Sequence, residues 1–184
     1  ILLFSLIAVL IATAAGGTAA YFNAQYTARN VITAGNISIE LLERMQREEN
    51  GEPVPFENQI GVMPNSTVSK IVSVKNTGEN SAWVRVSADL FIELAQGNSG
   101  QPDLALVHCD FNLSDWVYHE GYYYYGQPLQ AGEESTPLLT AVTFDKTMGD
   151  LYQNATATIS MNAQAVQTAN NGQTALTAAG WPEE

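Results

Sequence analysis

From Ala82 to Leu94 every second residue is apolar: Ala82, Val84, Val86, Ala88, Leu90, Ile92 and Leu94 alternate with Trp83, Arg85, Ser87, Asp89, Phe91 and Glu93. A period of two marks an extended strand, because successive side chains there point to opposite faces. A strand this long, with one apolar and one mostly polar face, belongs in an antiparallel sheet packed on one side. The run "ATATISMNAQAVQT" repeats the pattern, with Ala155, Ala157, Ile159, Met161, Ala163 and Ala165 set against Thr156, Thr158, Ser160, Asn162 and Gln164. Two such strands point to a β-sheet protein on their own.

Shorter runs extend the reading. "AGNISIELLE" puts Ile37, Ile39 and Leu41 on one face, while "TVSKIVSVKN", "LALVHCDFNL" and "TPLLTAVTFD" read as further strands. "WVYHEGYYYYG" reads as two short strands around a His119-Glu120-Gly121 turn. The charged, Pro-containing "RMQREENGEPVPFENQ" is a short helix or an exposed loop, and "AQGNSGQPD" is a loop. "DKTMGDLYQN" is a connector with one helical turn, and "ANNGQTALTAAGWPEE" holds one short helix. Roughly seven or eight strands at this spacing predict an all-β fold. The expectation is a jelly-roll or Greek-key β-sandwich with an N-terminal hydrophobic signal segment and short helical connectors.

The N-terminal end has its own organisation. "ILLFSLIAVLIATAA" carries no charge. A bilayer crossing needs about 20 apolar residues, whereas a signal-peptide core takes about 7–15. The small residues Gly16, Gly17, Thr18, Ala19 and Ala20 suit the narrow pockets of a signal peptidase, so the cleavage region is read at Thr18, Ala20 and Tyr21. No basic stretch precedes the apolar run and the sequence starts at Ile1, which reads as a chain trimmed upstream. A retained hydrophobic helix is the competing reading. Beyond this segment, Phe22, Ala24, Tyr26, Ala28, Asn30, Ile32 and Ala34 alternate with polar residues and Val31, mostly a period-two pattern with one face suited to burial. The chain thus divides into residues 1–20, an arm at 21–35, and a β-sandwich domain at 36–184.

Charge excludes several functions. Nineteen acids against seven Lys and Arg give a net charge of −12. No basic patch is available for phosphates, so nucleic acid is not a partner, nor is an anionic membrane face. The one cysteine, Cys109, precludes an intrachain disulfide and reads as a buried small hydrophobe.

The ordered motifs resemble one family. The "GGTAAYF" region leading to "AGNISIEL" is similar to export signals cut by signal peptidases of the SipW type, in the TasA–camelysin family of secreted Gram-positive proteins. "VMPNSTVSKIVSVKNTGENSAWVRV" resembles that family's second block, although Asn65 stands where the family commonly has Gly after the Met-Pro pair. "DWVYHEGYYYYGQPLQAGEESTPLLTAVTFD", "ISMNAQAVQ" and Trp181-Pro182 resemble its later blocks and tail. The resemblance implies a secreted, non-enzymatic subunit of extracellular biofilm-matrix fibres, located in the matrix or at the cell surface. It implies assembly by donor-strand complementation, with Phe22, Ala24, Tyr26, Ala28 and Ile32 as the donated residues. Partners would be identical subunits in a filament and a signal peptidase during export, with membrane contact only before cleavage. The alternative is a membrane-anchored surface binding or adhesion module with a retained helix.

A metal-dependent peptidase is the third reading, and it fits the residues poorly. A zincin needs H-E-x-x-H, but His119-Glu120 is followed by Gly121-Tyr122-Tyr123, and His108 is the only other histidine. His119 reads as a turn residue and His108 as a residue on a solvent face. No cofactor is expected. Calcium remains chemically open through loop acids Asp103, Asp110, Asp115, Glu133, Glu134, Asp145 and Asp150, with no EF-hand spacing. Of the Tyr122–Tyr125 run, two rings are expected inward and two at a subunit contact. Asn36, Asn65, Asn112 and Asn154 stand in N-x-S/T sequons, with no glycan expected in a bacterium. Lys70, Lys75 and Lys146 are candidates for an isopeptide bond to an Asn, with nothing in the sequence to single one out.

Overall fold

The computed structural model describes residues 22–30 and 37–182, and these form two facing β-sheets. Its strands are β1 (Phe22–Asn30), β2 (Ile39–Met45), β3 (Val54–Pro55), β4 (Gln59–Val62), β5 (Thr67–Asn76) and β6 (Ala82–Glu93). The chain continues with β7 (Val107–Cys109), β8 (Trp116–His119), β9 (Tyr122–Tyr125), β10 (Leu139–Phe144) and β11 (Thr156–Gln167). The six-stranded sheet runs β4-β1-β11-β6-β9-β8, and the five-stranded sheet runs β3-β2-β5-β10-β7. The helical content described is three single 3-10 turns, at Leu104–Leu106, Asp150–Tyr152 and Ala175–Thr177. An all-β sandwich is therefore the fold.

The core lies between the sheets and is built by the alternation read from the sequence. Ala157, Ile159, Met161, Ala163 and Ala165 of β11 are buried, as are Val84 and Val86 of β6. Ile37, Ile39 and Leu41 face them from the other sheet, beside Val72 and Val74 of β5. β6 and β11 pair in register along their whole length, from Thr156 opposite Glu93 to Gln167 opposite Ala82. Trp116 at the start of β8 has no exposed surface, donates from Nε1 to the Thr136 carbonyl at 3.2 Å, and packs on Tyr125 with ring centroids 4.9 Å apart.

Three local expectations change. The segment read as a helix or loop after Met45 carries two short strands, β3 and β4, on opposite sheets. "LALVHCDFNL" is a 3-10 turn followed by a three-residue strand, because the Asp103 side chain accepts the Ala105 amide at 3.0 Å and starts a turn. Trp83, placed on the polar face of β6 by alternation, is 6% exposed. Its cover is the C-terminal strap described next.

Residues 168–182 cross the outer face of the six-stranded sheet. Ala175 and Ala178 of this strap bury themselves with Trp83, Tyr124 and Val166, and Tyr122 and Trp181 pack alongside. The Arg85 guanidinium lies 3.8 Å from the Tyr122 ring centroid and 4.7 Å from that of Trp181, within cation–π range. It also donates to the Gln164 side chain at 2.8 Å and to the Pro182 carbonyl at 3.3 Å. Asn171 pins the strap's bend by donating to the Gln167 and Ala179 carbonyls and accepting the Ala179 amide. Gly172 follows at φ +64°, where a Cβ would lie 2.7 Å from the Ala178 nitrogen. Gly172→Ala is therefore expected to lift the strap, costing about 1–3 kcal/mol through left-handed strain and that clash. The check is a red shift and rise in solvent quenching of tryptophan fluorescence while the far-UV β signal is kept.

The tyrosine run divides by alternation. Tyr123 and Tyr125 pack against the main core, with Tyr123 stacked 4.4 Å from Phe111. Tyr122 and Tyr124 lie on the outer face, where Tyr124 is buried under their own chain's strap and Tyr122 packs beside it. The β8–β9 hairpin turns at Glu120 (φ 45°) and Gly121 (φ 86°), the two positive φ values that a tight type I′ turn demands. Asn65 adopts φ 60° in the turn before β5, so it takes the left-handed conformation for which Gly is the usual residue.

An ionic contact ties a loop to the five-stranded sheet. Arg44 of β2 holds Glu134 through both guanidinium nitrogens, and Ser73 donates to the same carboxylate at 2.5 Å. The Arg44 hydrogen bond holds the Glu134 carboxyl below its ordinary range. Such a group stabilises the fold above its unfolded-state pKa, and the contribution is lost as pH falls through the folded one. Glu134→Gln should accordingly lower the melting temperature at neutral pH and flatten its decline below about pH 4.5, a difference that vanishes in strong acid.

Candidate assembly site

The N-terminal strand is the feature on which the sequence reading places function. β1 lies second from the edge of the six-stranded sheet, between β4 and β11 of its own chain. It runs parallel to β11, from Asn23 opposite Thr156 to Asn30 opposite Ala163. Among the described strands this is the one parallel pair. On its other side it is antiparallel to β4, with Phe22 opposite Val62, Ala24 opposite Gln59, and a register irregularity between them. The ladder is anchored at its start by the Asn23 amide, which donates to the Ala155 carbonyl at 2.7 Å.

The seat is lined by small and apolar groups. Ala24 is 0% exposed, and around it the core presents Ala155, Ala157 and Val62, all buried. Further along, the β11 residues in register with Tyr26 and Ala28 are Ile159 and Met161, both buried on the inner face. Gln59 of β4 closes the end of the seat over β2, its side-chain amide 3.8 Å from the Met45 sulfur.

Of the donated residues read from the sequence, Phe22, Ala24, Tyr26 and Ala28 all lie on β1. Ile32 lies outside the described residues, as do Thr18, Ala20 and Tyr21 of the cleavage region and the apolar run before them. Within one chain, then, Phe22–Asn30 of the segment read as an arm is a strand of the sandwich. It occupies an interior position of the sheet, between β4 and β11. Sequence reading also missed β4, the strand that holds β1 from outside; its only signal is the pair Ile60 and Val62 around Gly61, too short for periodicity to register.

The groups weighed for metal or hydrolytic chemistry are placed elsewhere. His108 is exposed on β7, with Nε2 3.6 Å from Asp145, and His119 sits at the far hairpin beside Glu120 at 3.8 Å. The loop acids spend their oxygens on nearby donors. Asp110 accepts from the Thr140 and Ala141 amides at 2.8 and 2.7 Å, Asp145 from Thr147, and Glu133 from the Gln130 amide. Among the described residues no three His, Cys, Asp or Glu side chains gather as a metal site. Cys109 is partly buried on β7, and burial pushes its thiol up to about 11, the direction of an inert packing residue. Asn112 commits its side chain to Asp115, the Pro137 carbonyl and two backbone amides. No helix among the described residues is long and apolar enough to cross a membrane.

No family model matches this chain, and no curated protein or solved structure is significantly similar to it.

Proposed function

We propose that this protein is a secreted structural subunit of extracellular fibres, in which each copy receives β1 from its neighbour. The observation that carries the reading is the way β1 is attached. It is the first strand of the sandwich, and residues 31–36 alone join it to the other sheet. Withdrawing it from one copy frees the facing edges of β4 and β11, and a strand from another copy can take the same seat. The exchanged strand makes the same ladder with β4 and β11 in either copy, so exchange costs little beyond the entropy of association. A copy that has lost its own β1 shows an open β11 edge, and pairing that edge removes an aggregation hazard. Because the donor and the acceptor edge belong to different ends of a head-to-tail contact, the contact does not close on itself and extends into a filament. Release of β1 depends on cutting the apolar leader near Ala20, since a strand tethered to it cannot leave the membrane. Assembly is the function, and no catalytic step is assigned.

Electron microscopy of purified protein beginning near Tyr21 tests this: filaments are expected from the cleaved form and none from a form with the leader attached. A cleaved protein that stays monodisperse at high concentration overturns it. Subunits of charge −12 repel one another, so filament growth should accelerate as sodium chloride rises from about 10 to 150 mM and the Debye length shrinks from about 30 to 8 Å.

A further inference from the structure

Lys70 is the one lysine that points into the sandwich. Its surface is 0% exposed, whereas Lys75 and Lys146 are exposed. Lysine is almost never fully buried unless it is paired. Here the ammonium contacts the carboxylate of Glu43 on the neighbouring strand β2, and the Phe56 ring closes over Nζ at 4.2 Å. The Glu43 side chain is itself 14% exposed. We propose that Lys70 and Glu43 condense into an intramolecular isopeptide bond, a covalent cross-link between β5 and β2.

The chemistry needs no reagent beyond the two side chains. The ammonium passes a proton to the carboxylate it touches, leaving a neutral amine and a carboxylic acid. Burial lowers the affinity of Lys70 for its proton, against the opposing pull of the Glu43 charge and hydrogen bond. A nitrogen hydrogen-bonded to one carboxyl oxygen stands about 3–3.5 Å from the carboxyl carbon, the range of a near-attack conformer. Rotation about the bond to that carbon turns the carbonyl face toward Nζ. The nitrogen lone pair adds to Cδ, and the tetrahedral adduct loses a hydroxyl group with one amine proton as water. One C–N bond forms, one C–O bond breaks, and no electron changes hands. Held side chains reach effective concentrations of about 10⁵–10⁸ M, which offsets the slowness of uncatalysed amide formation. With a single cysteine, a cross-link of this kind is the covalent staple open to the chain. It is independent of strand exchange, because β2 and β5 belong to the sheet that β1 does not join.

The test is the intact mass of the purified protein under denaturing conditions. The expected mass is about 18 Da below the sequence value, with a branched peptide joining Glu43 to Lys70 after proteolysis. Lys70→Arg and Glu43→Ala should restore the full sequence mass. Glu43→Gln can close with loss of ammonia and should then show a deficit of about 17 Da and the same branched peptide. Wild-type protein of full sequence mass, with Lys70 open to acylation after unfolding, overturns the proposal whether or not filaments form.

Discussion

A chain lacking residues 21–32 forms no filaments, melts well below the intact protein, and regains stability when a peptide of that sequence is added in excess. This is the expected result with the largest functional effect. Removing β1 strips β4 and β11 of a shared partner and opens the core at Ala155, Ala157 and Val62. Each backbone hydrogen bond of the lost ladder nets about 0.5–1.5 kcal/mol, and the fully buried Ala24 is lost with it. Against a total stability of about 5–15 kcal/mol, the shortened chain is left marginal. Peptide rescue separates a missing partner strand from general damage, because a ligand that binds only the folded form raises its stability by mass action. Calorimetry with and without peptide, beside electron microscopy, reads both effects. A scrambled peptide of equal composition should do neither, since register is set by side chains alternating between faces.

Trp116→Ala carries the largest expected loss of stability from a single side chain, about 3–5 kcal/mol. The indole has no exposed surface, stacks against Tyr125, and satisfies the Thr136 carbonyl. Alanine leaves a cavity that β8 is badly placed to refill. β8 is an edge strand of four residues, held on one side by β9 alone. The loss should appear as a lower urea midpoint with an unchanged slope. Trp116→Phe, which keeps the apolar bulk and loses the hydrogen bond, should recover most of the stability and leave a residual cost of about 1–3 kcal/mol from the unsatisfied carbonyl.

How far the sequence spoke for the fold depended on whether a residue's partner was local. Ile37, Ile39, Leu41 and the even residues of β6 are inward in the structure because a two-residue period is a property of the strand itself. The Glu120-Gly121 turn was legible for the same reason, since its conformation is written in two adjacent residues. Trp83 was misplaced because alternation says which face a side chain shares and nothing about what lies over that face; its cover comes from Ala175 and Ala178, far along the chain. Lys70 follows the rule it seemed to break: the strand period puts it inward with Val72 and Val74, and Glu43 and Phe56 make that position tolerable. β1 was legible as a strand, but its neighbours were not. Nothing in "FNAQYTARN" says that its partner is Thr156–Gln167, that the pairing is parallel, or that β4 lies outside it.

The parallel pairing of β1 with β11 also sets a timetable. A hairpin can close as soon as its second arm appears, but Asn23 must wait for Thr156, roughly 130 residues later in the chain. A polypeptide emerging N-terminus first therefore carries its opening strand without its β11 partner until nearly all the rest has been delivered. If copies exchange strands as proposed, a folded copy whose own β1 is displaced can offer its β11 edge during that delay, sooner than the strand's own chain can. Growth at a tip of the proposed fibre would then outrun closure of each new arrival upon itself, and the rate of chain delivery would decide how many copies join and how many remain single.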